Sequence, residues 1–233
     1  MKQEYLDQHK LFEEQFGYTF GDKKKLLLAL THSTYAYEHR NLGIESNQRL
    51  EFLGDAILDF IVGEELYAKC PSWNEGKLSK TRALVVCEKT LSKVAIVLNV
   101  GNLLFLGKGE EATGGREKAS TLADTMESLF AAVYLDGGFD EAKRIVLTTL
   151  REYIDLAIKG ELVFDYKSKL LEKAQDRHDP HQVLFEVVSE QGPVHDRTFI
   201  VAVMVDGKEI VRAEGRSKKQ AEQEASRLAL EIW

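Results

Sequence analysis

Apolar residues recur at spacings of three and four through KKLLLALTH, RLEFLGDAILDFIVG, LSKTRALVVCEKTLSKVAIVL, STLADTMESLFAAVYLD and EAKRIVLTTLREYIDLAI. That period predicts successive helices up to about residue 158. Between Asn99 and Ser120 it lapses, and GKGEEATGGREKAS, with Gly114 and Gly115, predicts a loop. The helical pattern stops at Gly160, and from Asp165 the grammar changes to helix, three strands, helix. The strands are VLFEVVSE, TFIVAVMV and KEIVRAEG, with Asp206 and Gly207 supplying a tight hairpin between the last two. Ser217 is a good N-cap for the last helix, which places Ala221, Ala225, Leu228 and Ile232 on one face. The chain is therefore expected to be multidomain: an all-α domain over 1–158, a linker over 159–163, and an α+β domain of order α-β-β-β-α over 164–233.

Two of the helical stretches are apolar almost all round yet carry paired carboxylates. In the first, Leu50, Leu53, Ile57 and Ile61 share a face, while Leu58 and Val62 flank the arc that holds Glu51, Asp55 and Asp59. In the second, Asp124 and Glu127 are the only charged residues from Ser120 to Leu135. Spacings of i,i+4 and i,i+3 put each pair on one side of its helix. A carboxylate in apolar surroundings must neutralise, find a cation or bind metal. Oxygen ligands without His or Cys favour magnesium or manganese over zinc or copper. The plainer alternative is that these acids rim the core and pair with cations elsewhere in the chain.

Composition narrows the picture. The 233 residues are 44% hydrophobic, enough for packed cores, and the net charge is −7. The charge divides into −5 over residues 1–163 and −2 over 164–233, so any nucleic-acid site must be a local patch. MKQEYLDQHKLFEEQ lacks the apolar core of a signal peptide, and VAIVLNVGNLLFLG is too short and interrupted to span a bilayer. No membrane association is expected, and Cys70 and Cys87, without metal-type spacing, read as reduced thiols of a cytoplasmic protein. Lys218 and Lys219 occupy a first helical turn, where the dipole disfavours cations and anions such as phosphate are attracted. They are either solvated or phosphate-binding, and His195 in QGPVHDR reads as a surface residue. The Gly114–Gly115 loop is either a mobile surface loop or an arm bringing Arg116 and Lys118 to a substrate.

NQRLEFLGDAILD closely resembles the signature of bacterial ribonuclease III, the endonuclease that cuts double-stranded RNA. LTHSTYA, EGKLSKTRA, GGREKASTLADTMESLFAAVYLDGG, DYKSKLLEKAQ and EGRSKKQAEQEA extend the likeness over nearly the whole chain, the tail resembling its double-stranded-RNA-binding domain. The resemblance implies a homodimer whose all-α endonuclease domains form a valley, with one carboxylate cluster cutting each RNA strand. It also implies products with 5′-phosphate and 3′-hydroxyl ends and a short 3′ overhang, and a role in processing ribosomal RNA precursors. By motif, Glu51, Asp55, Asp124 and Glu127 become metal and catalytic carboxylates for Mg2+ or Mn2+, with Asp55 and Glu127 the catalytic pair. Glu75 matches an accessory acid, and Phe52 an aromatic that packs into the partner subunit. Ser168, Glu172, Gln175, His195, Lys218 and Lys219 match positions that meet RNA, whose A-form minor groove is recognised by shape. Two positions depart from the pattern: Gln48 stands where Glu is usual, and Leu171 where Gln is usual. The first keeps open a double-stranded-RNA-binding protein with weakened cleavage. A di-iron oxidase also pairs carboxylates on bundle helices, but the chain lacks its Glu-x-x-His pattern.

Overall fold

The computed structural model describes residues 3–175, 180–193 and 197–233. The chain divides into two compact units, Met1–Leu162 and Val163–Trp233. In the first, the described elements are helices α1 (Gln3–Phe16), α2 (Lys23–Ala29), α3 (Ser33–Glu38), α4 (Gln48–Lys69), α5 (Glu75–Val86), α6 (Glu88–Val97), α7 (Lys108–Ala112), α8 (Ala119–Gly137) and α9 (Phe139–Lys159), with 3-10 turns at Arg40–Leu42 and Val100–Leu103. The second unit holds α10 (Tyr166–Gln175), β1 (Val183–Gln191), β2 (Thr198–Val205), β3 (Lys208–Gly215) and α11 (Lys218–Ile232).

The first unit is built around α8. Leu122, Met126, Leu129, Phe130, Ala131, Ala132 and Val133 are buried there, and α2, α4, α6 and α9 all pack on it. Its closest neighbour is α4, and the crossing point is Gly54: a Cβ on that residue would lie 1.9 Å from the Glu127 carbonyl oxygen. Only a residue without a side chain lets two helix backbones approach that far. The start of α4 is held by buried Asn47, whose N–H donates to Thr31 O at 2.8 Å and whose amide donates to Ala29 O at 3.2 Å. Its carbonyl accepts from Glu51 N at 2.9 Å and lies 3.3 Å from the Ser128 hydroxyl on α8.

The far end of α8 is fastened by Asp136. Burial alone would raise this carboxyl, but hydrogen bonds from Lys25 Nζ, the backbone N–H groups of Asp22 and Gly21, and the Tyr18 hydroxyl hold it well below the usual carboxylate range. One side chain thereby stitches the α1–α2 connection to the central helix.

The region expected to be a loop is more ordered than its sequence suggests. Residues Lys108–Ala112 form α7, and Arg116 turns inward rather than towards a substrate. Its Nη1 donates to Gly101 O at 2.8 Å and Leu104 O at 2.9 Å, while Nε and Nη2 form a bidentate pair with Glu111 at 2.6 Å. The guanidinium satisfies carbonyls at the end of the preceding 3-10 turn. Of the two glycines that read as breakers, Gly114 takes the left-handed region (φ 79°), while Gly115 is a close contact where a Cβ would lie 2.8 Å from Glu110 O. Helix α1 gave only a faint signal, Phe12 and Phe16, which stack at 5.1 Å and are buried.

In the second unit the three strands pair antiparallel in the order β1-β2-β3. Val183 faces Val205 and Phe185 faces Val203, and these side chains pack with Ala213 against Leu170, Ala225 and Ala229 of the two helices. Asp206 (φ 50°) and Gly207 (φ 78°) both occupy the left-handed region, as a two-residue turn of this twist requires. Ala221 and Ala225 of the expected face are buried, as is Ala229, whereas Ile232 is 68% exposed. Among the described residues, no helix is long and apolar enough to cross a membrane.

Replacing Gly54 tests the α4–α8 crossing. Helix propensity alone would make Gly54→Ala stabilising by about 1 kcal/mol. The backbone overlap should reverse the sign and destabilise by about 3 kcal/mol or more, read by denaturant unfolding. A variant as stable as the wild type would show that the two helices separate freely.

Candidate metal centre and nucleic-acid interface

At the crossing, Glu51 of α4 meets Asp124 and Glu127 of α8, and one carboxylate oxygen from each lies within 4.8 Å of the other two. Oxygens bound on opposite sides of a hard divalent cation stand roughly 4 to 5 Å apart, so this donor set fits such an ion. The two pairs come together because Gly54 removes the separation that a side chain would impose.

The electrostatics point the same way. The Glu127 carboxyl is pushed up to about 8, first by burial and then by the charges of Asp55, Asp124, Glu51 and Asp59, all of one sign. Glu51 is raised by burial, Asp124 and Asp55. Asp124 is raised by burial and by Glu88, while His32 and Lys118 pull it down. Thus the charges acting on Glu127 and Glu51 are all acidic, whereas Asp124 also feels His32 and Lys118. Converging like charges of this kind need protons or a cation.

The site is a rim rather than a buried cage. Glu51, Asp124 and Glu127 are half-buried, but Asp55 is exposed and lies outside the trio within 4.8 Å, although its charge acts on both glutamates. Asp59 pairs with Arg82 at 3.6 Å. Three large apolar residues of α4 are not core either. Phe52, Phe60 and Tyr67 share an arc of about 80° on α4, and they are 82%, 59% and 74% exposed. Periodicity marks a face as apolar but cannot tell whether the chain itself covers it.

The remaining expected positions are dispersed. Glu75 is exposed in the first turn of α5, where Ser79 Oγ donates to it at 2.7 Å. Gln48 is exposed at the start of α4, accepting from Ser46 Oγ at 3.4 Å, outside the trio. In the second unit Lys218 and Lys219 are exposed in the first turn of α11, which Ser217 caps by accepting from Gln220 N at 3.2 Å. A Cβ on Gly215 would lie 2.4 Å from Ala221 N, so glycine sets how β3 delivers the chain into that turn. Glu172 and Gln175 are exposed on α10, Leu171 is half-buried there, and the Ser168 hydroxyl donates to Asp165 at 2.9 Å. The position of His195 lies outside the described residues.

His32 and Glu88 were not legible as site residues, since neither sits in a carboxylate pattern; Asn47 was hidden inside NQRLEFLGDAILD. His32 caps α3, its Nδ1 accepting from Thr34 N at 3.3 Å, and its own N–H donates to Phe105 O at 3.1 Å.

The raised Glu127 carboxyl gives the metal-free protein a particular pH dependence. Between the ordinary 4.5 and about 8 the native state keeps a proton that the unfolded chain releases, so stability falls as pH rises through that window. In chelator, Glu127→Gln should match the wild type near pH 4 and exceed its Tm by several degrees near pH 8. A Tm difference that does not vary with pH would contradict this.

Comparison with known proteins extends these observations. Residues 22–154 match the family model described as Ribonuclease-III-like, and residues 166–232 match the double-stranded RNA binding motif. The chain is 44% identical over 224 residues to the Ribonuclease 3 of Pelotomaculum thermopropionicum, covering 96% of this chain and 92% of that one. It is 43% identical over 225 residues to the Ribonuclease 3 of Pseudothermotoga lettingae, covering 94% and 93% respectively. A solved nuclease domain of ribonuclease III from Campylobacter jejuni is 41% identical with a TM-score of 0.57, covering 61% of this chain and 96% of that domain. With the carboxylate trio on its two crossing helices and an α-β-β-β-α unit later in the sequence, the chain belongs to the ribonuclease III family of endoribonucleases.

Proposed function

We propose that this protein hydrolyses phosphodiester bonds of double-stranded RNA by magnesium-dependent attack of water, with manganese able to substitute. The products carry 5′-phosphate and 3′-hydroxyl ends and a short 3′ overhang. The observation that carries this reading is the trio of carboxylates brought within 4.8 Å at the Gly54 crossing. Glu51, Asp55, Asp124 and Glu127 hold the ion, and Asp55 and Glu127 are the catalytic pair. When bound there, a divalent cation would supply a more acidic water and positive charge for the leaving oxygen. The side chains supply the rest. Glu127, pushed up to about 8, gives up its proton when positive charge enters the trio. Asp55 on the exposed side is the carboxylate that incoming RNA and water meet first, and it orients the attacking water.

The active form is a homodimer. A stripe of exposed Phe52, Phe60 and Tyr67 is the kind of apolar surface that marks a protein contact. Phe52 packs into the partner, and Glu75 is an accessory acid of the shared valley. The Campylobacter jejuni structure was described for flexibility in a region involved in dimer formation, in keeping with such an assembly. In the second unit Ser168, Glu172, Gln175 and His195 meet the minor groove, while Lys218 and Lys219 meet phosphates, so recognition is by shape. Residues 159–163, after the left-handed Gly160 (φ 74°) that ends α9, act as the linker between the domains. The substrates are ribosomal RNA precursors and other structured transcripts of the cytoplasm. Gln48, like Asp55, lies outside the trio, so the alternative reading with weakened cleavage turns on what Gln48 does to the rate.

Cleavage of a long end-labelled duplex, with a single-stranded control, tests this directly. Magnesium should give short staggered fragments from the duplex alone. Glu51→Ala and Asp55→Ala should each lower the rate by about a thousandfold or more while duplex binding is retained. Full cleavage by both variants would remove the assignment, and a large gain from Gln48→Glu would favour a weakened enzyme.

A further inference from the structure

The carboxylate trio is asymmetric. On the α4 side the flanking groups are acids, Asp55 and Asp59, whereas around Asp124 stand two basic side chains, His32 and Lys118, together with Glu88. A metal ion satisfies the acids but leaves these two basic side chains on the other flank to be explained. Each has only part of its polar capacity used by the fold: His32 through Nδ1, and Lys118 through Glu110. Lys118, the residue before α8, is 59% exposed along its side chain, and its contact with Glu110 is long, 3.4 Å. Arg116, two residues earlier, is instead spent on backbone carbonyls and Glu111, which fixes the segment that carries Lys118.

His32 is held equally firmly. Its N–H is tied to Phe105 O, and Thr31 beside it accepts from Asn47 at the head of α4. Its Nδ1 accepts from Thr34 N and lies 2.8 Å from Thr34 Oγ1, while Thr34 Oγ1 accepts from Gly107 N at 3.0 Å. With Nδ1 committed as an acceptor, the neutral ring carries its proton on Nε2, a donor on a half-exposed side chain. A fixed N–H donor and a flexible ammonium beside a metal-binding carboxylate match the needs of an anionic ester whose charge exceeds what the ion neutralises.

We propose that His32 Nε2–H and Lys118 Nζ contact phosphate oxygens of the RNA strand being cut, forming the anion-gripping flank of the site opposite Asp55 and Asp59. This deepens the reading of the site as a double-stranded-RNA nuclease and rests on it. The two residues hold and orient the phosphate. They are not metal ligands, so their loss should leave the affinity of the protein for the ion unchanged.

The experiment uses the full chain and a duplex RNA, measuring cleavage in magnesium and, separately, binding in calcium across a salt series. Lys118→Met keeps the aliphatic stem. It should weaken duplex binding about tenfold, raise KM, and reduce the salt slope by about one, with Lys118→Arg restoring all three. His32→Asn keeps an acceptor for the α3 cap but has no distal N–H. It should lower kcat/KM by about tenfold or more with Tm and ion affinity near wild type. An unchanged salt slope in Lys118→Met, or wild-type cleavage by His32→Asn, overturns the proposal. So does a His32→Asn defect that appears only with a lowered Tm. If the wild type binds duplex without cutting it, the nuclease reading fails, whereas the salt slope still decides the phosphate contacts.

Discussion

The approach of α4 to α8 at Gly54 is the constraint on which the rest of the first unit depends. A side chain there would overlap the backbone at Glu127, and the helices would have to part. Parting would separate Glu51 from Asp124 and Glu127, because each of these acids is less than one helical turn from the crossing. The same closeness makes the site electrostatically expensive. Four carboxylates, Asp55, Asp124, Glu51 and Asp59, act on Glu127, and the cost appears as a carboxyl that prefers its proton until positive charge arrives.

The surrounding structure holds that arrangement in place without contributing to the chemistry. Asn47 ties the head of α4 to the Ala29–Thr31 backbone and to Ser128, so the register of Glu51 against Asp124 is set by hydrogen bonds as well as packing. Asp136 fastens the other end of α8 with four donors. Arg116 converts a glycine-rich stretch into a fixed wall beside the site. Each uses a polar side chain with backbone partners outside its own helical turn, which no local pattern announces.

The second unit solves a different problem with the same economy. Its core is small, built from Leu170, Val203, Val205, Ala213, Ala225 and Ala229, and alanines on α11 let the helix lie close to the sheet. Gly215 allows β3 to pass almost directly into the first turn of that helix, where Ser217 caps and Lys218 and Lys219 project. Tyr166 and Asp165 are bonded to Gln223, so α10 and α11 are locked together and present their polar residues as one surface.

The sequence by itself determined the class of each unit, the order of the elements, the D-G hairpin, the Ser217 cap and the acids of the candidate metal centre. These follow from periodicity, turn chemistry and the cost of charge among apolar residues, all local properties of the chain. Tertiary structure alone decided that Glu51, Asp124 and Glu127 converge while Asp55 stays on the exposed rim, that Phe52, Phe60 and Tyr67 are uncovered, and that Arg116 faces inward. It also brought His32 beside Asp124, 92 residues apart in the chain. The physical reason is that period fixes the angle of a side chain about its own helix, whereas distance to another helix depends on how closely two backbones can approach. Here that distance was set by a single missing Cβ.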